Sequence, residues 1–80
     1  MTRLDKLISE FQGAKSDYKW SDLLKLLKGL GFDLTEGSGS RVRFTNGEIT
    51  IHLHKPHPQK EVKAYAVKQV KTLLKQEGLI

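Results

Sequence analysis

Arg41-Val42-Arg43-Phe44-Thr45-Asn46-Gly47-Glu48-Ile49-Thr50-Ile51-His52-Leu53-His54 is the stretch that decides the fold. Apolar and polar residues alternate on both sides of Asn46-Gly47, the period-two pattern of half-buried strands. Asn and Gly both tolerate the positive φ of a type I′ turn, so the reading is a two-residue β-hairpin. Such a turn sets Thr45 opposite Glu48, Arg43 opposite Thr50 and Arg41 opposite His52. Because side chains alternate, Val42, Phe44, Ile49, Ile51 and Leu53 share a covered face. Arg41, Arg43, Thr45, Thr50, His52 and His54 stand on the open one.

Working outward, Phe32 and Leu34 continue the period of two on the N-terminal side and predict a third strand, separated from the hairpin by the breaker run Glu36 to Gly39. Before them, Leu23, Leu24, Leu27 and Leu30 mark one face of a helix, with Ser21 as its expected N-cap and Gly31 as its stop. Lys25 and Lys28 fall off that stripe and read as solvated. Leu4, Leu7, Ile8 and Phe11 predict an additional N-terminal helix over residues 1–13. After the hairpin, Lys55 to Pro58 carries two prolines. From Glu61, Val62, Ala66, Val70, Leu73 and Leu74 predict a last helix, with Gly78 at its end. The expected fold is α+β, in the order α-α-β-β-β-α: a three-stranded antiparallel sheet with helices on one face.

The chain has 80 residues and no cysteine. A single domain over residues 1–80 is expected, held by apolar packing without disulfides, which suits a reducing compartment. No apolar run approaches the ~20 residues needed to span a bilayer, and the N-terminus lacks a signal-peptide pattern, so the expectation is a soluble cytoplasmic protein without a membrane partner. The formal charge is +5. It is uneven: residues 1–40 hold six Lys/Arg and six Asp/Glu, residues 41–80 eight and three. Segregated positive charge attracts polyanions, nucleic acid among them.

The open face sharpens that expectation. Arginine offers a rigid fork of donors to phosphate oxygens, and histidine takes or gives a proton near neutral pH, a combination suited to binding or cleaving a phosphodiester. Polar residues must also occupy the solvent face of any half-covered sheet, and Arg43 and Thr45 fit that plain role. Two histidines at i and i+2, with His57 nearby, raise the question of zinc. With no cysteine and no acidic ligand converging on them, no metal or other cofactor is expected. The lysines at 60, 63, 68, 71 and 75 flank the apolar stripe of the last helix, where they either extend a phosphate track or solvate the surface, the ordinary role of exposed helical lysine.

Ser21-Asp22-Leu23-Leu24-Lys25 leading to Leu30-Gly31-Phe32, then Gly39-Ser40-Arg41, then Lys55-Pro56-His57-Pro58 before a helix ending Leu74-Lys75-Gln76-Glu77-Gly78-Leu79, resembles the HicA toxin family in order and spacing. The resemblance covers nearly all of the chain after residue 20. It implies a fold like the double-stranded-RNA-binding domain, an mRNA-cleaving activity independent of the ribosome, and a cognate HicB-like antitoxin that covers the active surface. The family's strand signature is Gly-Ser-His, whose histidine is taken as catalytic; this chain has Arg41 at the matching position. Arginine stays protonated, so it can stabilise charge but cannot be a general base. The expected catalytic set is therefore His52 and His54 as proton carriers with Arg41 as phosphate clamp, and the expected RNA contacts are Ser40, Arg43, Thr50, Lys55, His57 and Lys63. Two alternatives are a module of the same fold that binds RNA without cutting it, and a protein-interaction domain whose basic helices dock an acidic partner.

Overall fold

The computed structural model describes residues 3–14, 18–56 and 60–80. Among them the order is α1 (Arg3–Gly13), β1 (Tyr18–Lys19), α2 (Trp20–Gly29), β2 (Asp33–Glu36), β3 (Arg41–Thr45), β4 (Thr50–His54), β5 (Glu61–Val62) and α3 (Ala64–Gln76). The expected α-α-β-β-β-α frame is present, with an antiparallel sheet in the order β2-β3-β4. Two short strands, β1 and β5, add a separate antiparallel pair.

The sheet buries the face that alternation assigns to it. Val42, Phe44, Ile51 and Leu53 are buried together with Phe11 of α1, Leu23, Leu26 and Leu27 of α2, and Ala66, Val67, Val70 and Leu74 of α3. Trp20 meets Phe44 edge-on at 6.0 Å between ring centroids, and Phe11 meets Tyr18 likewise at 5.2 Å. Such edge contacts set the positive edge of one ring against the negative face of the other, a quadrupolar gain beyond simple burial. The Tyr18 hydroxyl, buried and without a hydrogen-bond partner among the described residues, has its pKa pushed up to about 12 by burial, with Asp22 and Glu10 adding to the effect. It fills the core as a neutral phenol.

Four local expectations are corrected. The α2 helix starts at Trp20, with Lys19 rather than Ser21 at the N-cap and no side-chain cap. The Trp20 amide instead donates to the Lys60 carbonyl at 2.9 Å, so the β1–β5 ladder satisfies the start of the helix. Its buried stripe includes Leu26, whereas Leu24 and Leu30 are half-buried. The last helix starts at Ala64, not Glu61: Val62 is buried as a strand residue paired with Tyr18. The fourth correction is Lys71. Its ammonium donates to the Gln12 and Ala14 carbonyls at 3.1 and 2.6 Å and lies 5.9 Å from the centre of the Phe11 ring.

The α1 helix has no basic residue in its own last turn, so a lysine from α3 supplies the charge its C-terminal carbonyls favour. Lys71→Ala should therefore cost about 1–2 kcal/mol, the scale of hydrogen bonds to a charged group. The change should appear as a lower urea midpoint and faster amide exchange in α1; an unchanged midpoint would refute this role. Both expected helix stops hold. Gly31 (φ 96) and Gly78 (φ 72) follow α2 and α3 in the left-handed conformation. The amides of Phe32 and Leu79 reach back to the carbonyls of Leu27 and Leu74, the bonding of a Schellman stop.

Candidate functional site

The hairpin places the polar face, in a register different from the expected one. Thr45 pairs with Thr50, Arg43 with His52 and Arg41 with His54. The connection is longer than two residues because Asn46 builds it with its side chain: Oδ1 accepts from the Glu48 and Ile49 amides at 2.9 and 2.8 Å, and the Asn46 amide donates to the Ile49 carbonyl at 3.2 Å. Gly47 takes the positive φ, 95°, that this loop requires. Ile49 consequently belongs to the loop and is half-buried rather than lying in the ladder.

A shift of two positions changes partners and keeps faces, because side chains repeat every two residues. Arg41, Arg43, His52 and His54 all remain exposed on the face away from the core. The correction concerns neighbours: Arg41 stands across from His54, not His52, and His52 stands across from Arg43, which Thr35 of β2 flanks on its other side. Directly paired side chains on one face have Cβ atoms ~5 Å apart, so each arginine has a histidine as its cross-strand neighbour.

Three further sequence candidates gather around His54. Ser40 Oγ lies 3.4 Å from His54 Nδ1, at the long end of a hydrogen bond, and the Lys55 amide donates to the Ser40 carbonyl at 2.7 Å, which ties the start of β3 to the end of β4. Ser40, His54, Lys55 and Lys63 line a recess of about 210 Å³ together with Tyr65. His52 and Thr50 line a neighbouring open groove of about 590 Å³ between β4 and α3, whose helix side carries Tyr65, Lys68, Thr72 and Gln76. Thr50 also bonds through its hydroxyl to Thr45 Oγ1 at 3.4 Å.

Arg41 and Arg43 line neither depression; they flank the two histidines from β3. His57, together with Pro58, lies outside the described residues. No group of three or more His, Cys, Asp or Glu side chains that could hold a metal ion converges among the described residues. The α3 side of the groove is what sequence reasoning missed. Tyr65, Lys68, Thr72 and Gln76 lie off the apolar stripe of a helix whose packing partner was unknown. Only the position of an aromatic side chain off that stripe could have flagged Tyr65.

A family model described as HicA toxin of bacterial toxin-antitoxin matches residues 20–79. The chain belongs to the HicA toxin family. No curated protein and no solved structure matches it in the corresponding searches. The HicA match spans β1's partner strand, the whole three-stranded sheet, α2 and the α3 helix that lines the site, while α1 lies N-terminal to it. Membership in a HicA toxin family implies an antitoxin partner. No helix of the described residues is long and apolar enough to cross a membrane.

Proposed function

We propose that this HicA-family chain is an endoribonuclease that acts on mRNA without a metal, and that a HicB-like antitoxin restrains it by covering the same surface. The observation that carries this reading is the register of the hairpin, two arginine–histidine cross-strand pairs side by side on one exposed face. Arg41 and Arg43 grip the phosphate and stabilise charge that builds on it. One histidine removes the proton from a ribose 2′-hydroxyl while its oxygen attacks phosphorus. The other protonates the departing 5′-oxygen as its bond to phosphorus breaks. Ser40, Thr50, Lys55 and Lys63 border the two depressions and hold the flanking backbone. His57 is proposed as a further contact on its position in the sequence alone. Residues 1–80 are taken as one HicA-like unit in the cytoplasm, with α1 as an addition packed on α2, where Leu4 fits over Gly29.

A second reading has a specific observation in its favour: Arg41 stands where the family's Gly-Ser-His pattern has its histidine. A chain that kept the fold and lost the chemistry would hold RNA by backbone contacts and leave it intact. Incubating the purified chain with RNA in excess chelator separates the two. Discrete fragments are expected. Intact RNA held in a complex that weakens as salt rises would favour the binder, and neither fragments nor complex would reject both readings.

A further inference from the structure

Tyr65 is the large apolar side chain that the described fold leaves mostly uncovered, 61 % exposed in the first turn of α3. Neighbouring residues on its helix behave differently: Ala66 and Val67 are buried in the core, while Lys63 and Lys68 are exposed on either side. Its position is on the histidine side of the site. The Tyr65 ring borders the recess of His54, the groove of His52, and a third depression shared with Lys68 and Ala14. Its place beside both histidines and between two lysines suits a ligand with a flat apolar face and adjoining negative charge.

An RNA nucleotide with an unpaired base has both. Its phosphate is anionic, its base presents a π-face, and base–aromatic stacking tolerates any sequence because every base has such a face. A base inside a duplex is already stacked on both sides and offers none. We propose that Tyr65 is a stacking platform for one unpaired base next to the phosphate held by the arginines, and that it selects single-stranded over double-stranded RNA. This rests on the RNA reading above and adds to it the state of the strand and the residue that reads it. Lys63 and Lys68 hold the phosphates on either side of the stacked nucleotide.

The test is affinity, not cleavage. A labelled 2′-O-methyl oligoribonucleotide cannot be cut through its blocked 2′-oxygen, so fluorescence anisotropy reads binding of the intact chain to it, single-stranded or annealed to its complement. The wild-type chain should bind the single strand more tightly than the duplex. Tyr65→Ala should weaken the single-stranded complex about 10-fold, the scale of one lost base stack, while Tyr65→Phe keeps the ring and the affinity. Tyr65→Leu, which retains apolar bulk without a π-face, should behave like Tyr65→Ala. Unchanged single-strand affinity in Tyr65→Ala, or a wild-type preference for duplex, overturns the platform and leaves the RNA reading standing. A wild-type chain that binds neither oligonucleotide overturns the RNA reading and the platform with it.

Discussion

Replacing His52 and His54 together with alanine should abolish RNA cleavage while leaving the melting midpoint of the chain nearly where it was. Both side chains are exposed on β4, and surface substitutions away from caps and cores usually change stability by no more than ~0.5 kcal/mol. A positioned general acid or base typically contributes ~10²–10⁴-fold to rate, so loss of both takes cleavage below what a gel assay resolves. RNA affinity should persist, because Arg41, Arg43 and the lysines are untouched and phosphate contacts supply most of the binding. The single variants carry further information. His54 sits beside Ser40 and across from Arg41, whereas His52 opens into the α3 groove across from Arg43, so their separate losses report which pair holds the reacting phosphate. Cleavage retained by the double variant would remove both histidines from the chemistry.

The second large effect concerns the scaffold. Phe44 is fully buried at the centre of β3 and meets Trp20 edge-on. Phe44→Ala removes that contact and leaves a cavity, a change that costs about 3–5 kcal/mol in well-packed cores. Native stability runs at roughly 0.05–0.15 kcal/mol per residue, so in a chain of this size the substitution takes a large share of the total. Urea titration followed by far-UV circular dichroism should show a much lower midpoint or an unfolded chain at room temperature. A loss below about 1 kcal/mol would mean that the sheet does not pack on α2 in this way. The contrast with the histidine variants is useful: cleavage lost through Phe44 should come with unfolding, and cleavage lost through His52 and His54 should not.

Much of this was legible in the sequence because it depends on periodicity. The two-residue repeat from Val42 to Leu53 fixed the exposed face, and even the wrong loop length preserved it, since moving the register by two residues leaves every side chain on its own side. What the sequence left open was the identity of partners. Asn46-Gly47 signals a tight type I′ turn, but the Asn46 side chain accepts two amide protons in the observed loop and lengthens it, which moved Arg41 from His52 to His54. Strands of two residues are too short to show a period. Val62 therefore passed for a helical residue spaced with Ala66, although it pairs with Tyr18. Lys71 looked like any solvated helical lysine; its role depends on where the end of α1 lies in space. Tyr65 was hidden for the same reason, because a groove needs two walls and the sequence displays one at a time.

The most direct test of the central claim is the chemistry of the cut ends. RNA treated with the purified wild-type chain in chelator should yield fragments ending in 2′,3′-cyclic phosphate and fragments beginning with 5′-hydroxyl, the products of 2′-oxygen attack with histidine proton transfer. Fragments beginning with 5′-phosphate, or cleavage that appears only when a divalent metal is restored, would contradict it.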